Sequence, residues 1–534
     1  MSNYSTISGE GSASAGDMTR HKRTRGRQKE GGGQATMISS VINLLNTIIG
    51  AGTLAMPSAM SHFGMMLGVI VIIWSGFTSA FGLYLQSRCA RYLDRGTSSF
   101  FALSQITYPN AAVIFDAAIA IKCFGVGVSY MIIIGDLMPG VVEGFDSRAA
   151  DIPFLMDRNF WITVFMLVII PLSFLRRLDS LKYTSIVALV AIGYLIVLVV
   201  YHFASDPLAP RDKIRYVAWG GPVEALASLP VVIFAYTCHQ NMFSILNEIS
   251  SNSPGSVMGV ISSSIGSAAT VYVLVAITGY LTFGNDVIGN IVSMYPASIA
   301  STIAKAAIVI LVTFSIPLQV HPCRASVDAV LKWRPKDVSR PQGRTSSPGG
   351  RPLLSTPAPS RSDHGPSAPI SDLRFAILTT IILILGYAVA LTVVSLERVL
   401  AYVGSTGSTS ISFILPGLFY YKISDPNSIH QQRLAKEDDD ADAVSLTNSE
   451  AEDADADEGL LGRSVESVRS AASGSSAKSK NTKFPWRWRR KWRWDMEHLQ
   501  PVFLRRAALA LAIYGMCVMA VCLAMNLVGT VTAH

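Results

Sequence analysis

Val41-Ile42-Asn43-Leu44-Leu45-Asn46-Thr47-Ile48-Ile49-Gly50-Ala51-Gly52-Thr53-Leu54-Ala55-Met56-Pro57 decides the reading of this chain. It lies in a stretch, Gly31 to Gln86, without a single Asp, Glu, Lys or Arg. No ordinary soluble domain tolerates that. A helix facing only lipid has no use for two Asn, a Gly-Ala-Gly-Thr run and a Pro in its middle. Gly50 and Gly52 each weaken a helix by about 1 kcal/mol, so together they mark a place where it opens. Backbone groups freed at membrane depth persist only where protein or a water-filled cavity satisfies them. A break here therefore implies a site. The first N–H groups of its second half, near Gly52 and Thr53, suit an anion such as a carboxylate. Close packing through small residues is the competing explanation.

The rest of the chain agrees with a membrane reading. Of 534 residues, 50% are hydrophobic and 15% charged, with a mean hydropathy of +0.39. Soluble domains average about 25% charged. Apolar runs long enough to cross a bilayer fall near 37–60, 63–87, 111–138, 159–175, 183–203, 224–247, 255–283, 298–322, 372–395, 399–421 and 501–531. These are spans 1 to 11 of an all-α polytopic membrane protein. With the N-terminus in the cytosol, 36 of the 44 Lys and Arg fall on the cytosolic side, as the positive-inside rule asks. Arg211, Lys213 and Arg215 run against that trend. An odd span count places the C-terminus on the other, lumenal side. The net charge of +8 thus reports topology and not nucleic-acid binding. The six Cys lie in or beside apolar segments and read as buried small hydrophobes.

The chain divides into a disordered cytosolic N-tail (1–36), a ten-helix core (37–421) interrupted by a disordered loop (333–371), a linker (422–500) and the eleventh helix (501–531). The loop is Pro/Ser/Arg-rich and the linker starts acidic; neither has the apolar content to bury a core. Within the linker, 484–495 interleaves four Trp with five cations. Such a segment favours the membrane surface and anionic lipid.

Span 6 is the second unusual helix. Pro230 sits early in it, and Tyr236-Thr237-Cys238-His239-Gln240-Asn241 makes its centre polar. Two interrupted helices five spans apart fit two inverted five-helix repeats with a site between them at the midplane. His239, with a side chain that titrates near neutrality, is a candidate proton carrier or a buried, hydrogen-bonded imidazole. Lys122 is expected to pair with a carboxylate such as Asp116 or to reach a polar interface, with replacement of a bound cation as the alternative, and Lys305 to snorkel. No nucleophile–base set, metal-ligand motif or phosphate loop is present, which argues against an enzyme.

The motifs NTIIGAGTLAMP (46–57), FAYTCHQNMFSILNE (234–248) and TFSIPLQVHPCR (313–324) resemble the amino acid/auxin permease family. Within it they are similar to fungal vacuolar amino-acid transporters and to sodium-coupled neutral amino-acid transporters. The resemblance implies a LeuT-like 5+5 inverted repeat plus one extra helix, carrying amino acids with a coupling ion. It implies a substrate site at Gly50, Ala51, Gly52, Thr53, Tyr236, Thr237 and His239. Asn46 and Thr313 stand where sodium-coupled relatives hold their cation. The expected function is proton-coupled amino-acid export from a vacuole to the cytosol by a monomer without cofactor. A sodium-coupled symporter and an amino-acid sensor signalling through its tails are the alternatives.

Overall fold

The computed structural model describes residues 35–93, 96–175, 184–332, 371–428, 430–432 and 501–532. The tails, the 333–370 loop, the Trp/Arg segment and most of the linker lie outside them.

The described chain is helical almost throughout. Among the described residues, eight helices are long and apolar enough to cross a membrane, and a ninth crossing is a pair, Met37–Ile48 and Ala51–Phe63, bent by 55°. These account for spans 1, 2, 3 and 5 to 9, together with span 11. Span 4 is an apolar helix of 16 residues, Arg158–Ser173, under the usual spanning length. Span 10 consists of Leu396–Val403, two π-helical turns at Gly404–Ser408 and Ser410–Ile414, and Leu415–Ile423. Span 6 is also divided, into Pro222–Ala235 and His239–Glu248. Below, spans 1a and 1b, and 6a and 6b, are these halves. The end of the bundle that carries Phe63 and Pro222 is termed outer, and the end that carries Met37 and Glu248 inner.

Spans 3 (Ala112–Phe145) and 8 (Ile299–Lys332) form the long spine. Each has 34 residues, about 50 Å of helix. They pack closely because Gly140 and Gly144 of span 3 leave room for Lys305 and Thr302 of span 8. Lys305 does not snorkel: its amine donates to the Tyr295 carbonyl at 2.9 Å. Lys122 does not pair with Asp116. The two are six residues apart on one helix, so they point to different sides, and Lys122 lies buried against Gly407 of span 10. Asp136 pairs with Arg158 of span 4 at 3.5 Å. At the inner end Arg324 is buried, bonded to Thr379 at 2.9 Å and stacked over Phe375 of span 9. Span 11 (Pro501–Thr532) docks on the end of span 10, where Arg505 meets Asp425 at 2.6 Å.

The turn between spans 1 and 2 is a single residue, Gly64, at φ 74°. A side chain there would also strike the Ala218 carbonyl oxygen at 2.1 Å. The strand of chain before span 6 caps this turn: Met65 N–H donates to Arg215 O and Gly220 N–H to His62 O, both at 2.9 Å. Two of the three cations that broke the charge trend are matched locally. Lys213 meets Asp286 at 2.5 Å and Arg215 meets Glu224 at 3.5 Å.

The π-helical turn brings Gly404 onto span 6a, where an added Cβ would lie 2.0 Å from the Pro230 carbonyl oxygen. Backbone on the far side cannot rotate away. Gly404→Ala should therefore lower the melting temperature of the purified protein, at a cost of about 1–3 kcal/mol. An unchanged transition would contradict this contact.

Candidate functional site

Each broken helix leaves orphan backbone groups. Span 1a ends at Ile48, Ile49 is extended, and span 1b begins at Ala51. Span 6a ends at Ala235, and Tyr236, Thr237 and Cys238 carry the chain to 6b. The C-terminal carbonyls of 1a and 6a meet at one side chain. The hydroxyl of Tyr272, on span 7 (Pro254–Phe283), lies 2.7 Å from Ile48 O and 2.8 Å from Ala235 O. Tyr272 is fully buried. One hydroxyl hydrogen serves two acceptors, so the breaks share a partner and leave acceptor capacity over. The opposite ends, the starts of 1b and 6b, present N–H groups with the positive end of the helix dipole. Carbonyls and N–H groups concentrated at one depth suit a molecule with both an ammonium and a carboxylate.

A cavity of about 60 Å³ adjoins the break in span 1. Asn46, Gly50 and Ala51 of span 1 line it with Tyr130 of span 3, Ile192 of span 5 and Ser315 of span 8. Small-molecule sites usually measure about 300–1,000 Å³, so this cavity is smaller than a typical ligand site. The Asn46 Oδ1 atom is buried without a hydrogen-bond partner, an unmet acceptor on a residue that lines the cavity.

The expected site residues separate into groups. Asn46, Gly50 and Ala51 line the cavity. Gly52 faces span 6a instead: a Cβ would fall 2.5 Å from Ala235 Cβ and 2.8 Å from its Cα. Its missing side chain lets the two broken helices cross, so the small-residue packing explanation holds for Gly52. Thr53 is buried. Thr237 is buried, donates to Ile233 O at 3.0 Å and accepts from Ser412 of span 10 at 3.3 Å. The Tyr236 ring lies edge-on to Tyr272 at 5.1 Å and against Gly76 of span 2.

His239 turns away from the cavity. It is fully buried, with Nε2 3.2 Å from Ser79 O and its own carbonyl accepting from Gln86 Nε2 at 2.9 Å. Gly82 makes room for the ring. These partners all belong to span 2 (Met65–Ala90). Thr313 donates to Val309 O of its own helix at 2.7 Å; the cavity face of span 8 carries Val312 and Ser315. The structure thus brings Asn46 together with Ser315 and leaves Thr313 on the next face.

The fold and this geometry agree with what the chain is related to. The family model described as transmembrane amino acid transporter protein matches residues 33–439. The chain belongs to that family. Vacuolar amino acid transporter 5 of Schizosaccharomyces pombe is 44% identical over 73% of this chain and 86% of its own length. Vacuolar amino acid transporter 6 of Saccharomyces cerevisiae is 43% identical over 73% and 90%. The mouse sodium-coupled neutral amino acid transporter 7 is 26% identical over 58% and 69%. Among solved structures, the inward-facing form of Mhp1 is 12% identical with a TM-score of 0.48, covering 73% of this chain and 77% of its own. Family members and relatives are transporters, not enzymes.

For this transporter, Tyr272 and Tyr130 lie outside the motifs, and Ser315 lies inside the third motif, where Thr313 was singled out instead. They lie on spans 7, 3 and 8, away from both breaks in sequence. Tyr272→Phe would leave both terminal carbonyls buried without a donor. An unsatisfied buried group costs about 1–3 kcal/mol. The variant should melt several degrees lower and lose most amino-acid flux; wild-type behaviour in both measurements would remove Tyr272 from the site.

Proposed function

We propose that this protein carries amino acids out of a vacuolar lumen into the cytosol, coupled to protons, by rocking spans 1, 2, 6 and 7 against the spine of spans 3 and 8. The reading places the N-terminus and the inner end in the cytosol, where the short loops carry Arg88, Arg91 and Arg95, then Arg176, Arg177 and Lys182. One observation carries it: the breaks of spans 1 and 6 meet at the Tyr272 hydroxyl, next to a small cavity lined by Asn46, whose buried side-chain oxygen has no partner. That arrangement offers an amino acid both ends of its backbone and any side chain. The vacuolar setting rests on the names of the relatives above 40% identity. An acidified lumen supplies the proton gradient.

Two features favour protons over sodium. Asn46 and Thr313 do not face one cavity, as a two-residue cation site asks. An acid compartment also supplies a proton gradient directly, whereas its acidity by itself supplies no sodium gradient. His239 is not the transported-proton site of this reading, because its ring is fixed against span 2.

The test is reconstitution of the full chain in liposomes loaded with labelled amino acids at about pH 5.5 inside and about pH 7.5 outside, a range that spans histidine titration. Efflux should accelerate with the gradient and ignore replacement of sodium by choline. Absence of flux for every amino acid would overturn the transport reading, and a sodium requirement would overturn the proton coupling. His239→Gln should keep the pH dependence of efflux and lower the yield of folded protein; a flattened pH profile would return His239 to the coupling role.

A further inference from the structure

At the outer end one carboxylate holds both broken helices. Glu397 lies in the first turn of span 10. Its Oε2 accepts from Ser58 Oγ of span 1b at 2.6 Å, and its Oε1 from Ser228 Oγ of span 6a at 3.2 Å. Its backbone is pressed against Gly289, where a Cβ would come 3.1 Å from the Glu397 nitrogen. His62, in the last turn of span 1b, joins this centre. Its Nε2 is 3.3 Å from Glu397 Oε1, and its Nδ1 is 3.6 Å from Glu224 Oε2 of span 6a.

The charges around the imidazole leave room for one proton. Glu397 and Glu224 face it from spans 10 and 6a. Arg215, from the loop before span 6, balances Glu224 at 3.5 Å. Lys213 and Asp286, in the neighbouring loops, neutralise each other at 2.5 Å, and Arg398 beside Glu397 is exposed. With His62 neutral the group carries one uncompensated carboxylate; with His62 protonated it is neutral. The side chains of His62, Glu397 and Glu224 are 32%, 21% and 49% exposed, so protons from the solvent at this end reach them.

We propose that His62 is a proton-binding site for the outer compartment, and that its protonation clamps spans 1b and 6a onto span 10 through Glu397. This rests on the transport reading above for its role: acid on the lumenal side speeds closure behind a loaded substrate. A histidine changes charge between about pH 5 and 8, and a charge-assisted hydrogen bond is about twice as strong as a neutral one. The proton that binds here comes and goes on the outer side, so it sets the rate of closure and is not the one that crosses.

The experiment has two arms on the full chain. In vacuolar vesicles, export is measured while the pH on both sides is lowered together from about 7.5 to about 5.5, so that the driving gradient stays constant. Wild type should gain about fivefold in maximal rate, the size expected for one strengthened hydrogen bond. His62→Gln and Glu397→Gln should each lose that gain at unchanged KM. In detergent, a cysteine introduced by Ala225→Cys, at a buried position of span 6a, is titrated with an impermeant thiol reagent. Its rate is referred to the unfolded protein at each pH. Acid should slow labelling about fivefold with His62 present and not in His62→Gln. If either variant folds poorly, Glu224→Gln should shrink the pH response in the same way. A wild-type pH response in His62→Gln, or a change confined to KM, would overturn the proposal. Labelling needs no transport, so a protein that carried no amino acid would fail the transport reading while the clamp was still decided by the second arm.

Discussion

The structure is organised around a demand that two backbone carbonyls impose. Ile48 and Ala235 end helices inside the membrane-spanning bundle, where no bulk water meets their oxygens. One tyrosine hydroxyl from span 7 serves both. That shared donor requires spans 1, 6 and 7 to keep one another's register. It also explains why Gly52 must be bare: Ala235, whose carbonyl Tyr272 holds, sits where the Cβ of residue 52 would go. The breaks, their crossing point and the cavity beside Asn46 are thus consequences of one arrangement.

Around this centre the protein separates a rigid part from a part with loose attachments. Spans 3 and 8 meet through glycines along long helices, and span 9 is riveted to span 8 by buried Arg324. The outer halves of the broken helices are held differently. Their hold on span 10 is polar and partly wet, through Ser58, Ser228 and His62 on Glu397. Hydrogen bonds of this kind exchange with water at little net cost, whereas a packed glycine seam does not open without creating voids. Motion of the outer ends of spans 1b and 6a against the first turn of span 10 is the cheaper movement, because deeper in the bundle Gly404 packs span 6a tightly onto span 10.

Much of the fold was legible because hydropathy at membrane depth is a strong constraint. The run without charge around Gly50, and the polar centre of span 6, located both breaks to within a residue or two. The site was less legible, for geometric reasons. Gly52 carries a glycine signal, but a glycine required by a ligand and one required by a neighbouring helix look alike in sequence. Thr313 and Ser315 differ only in which face of span 8 they occupy, and that depends on helix rotation. Tyr272 is one of 18 tyrosines, with nothing local to distinguish it. Lys122 and Asp116 were near in number but not around the helix. The segmented span 10 did leave a trace, the run Gly404-Ser405-Thr406-Gly407-Ser408-Thr409-Ser410, whose small residues admit π-helical turns close to spans 3 and 6.

The central claim is that the cavity between the broken span 1 and span 8 receives an amino acid. It is tested most directly by placing a cysteine there, Ser315→Cys, in a background where the exposed Cys517 is serine, and following its modification by a small thiol reagent. The account predicts that a subset of amino acids slows modification in a saturable way, while the same molecules lacking the carboxylate or the amino group do not. Modification at one rate with every amino acid present, in a protein that transports them, would place the substrate elsewhere and contradict the account.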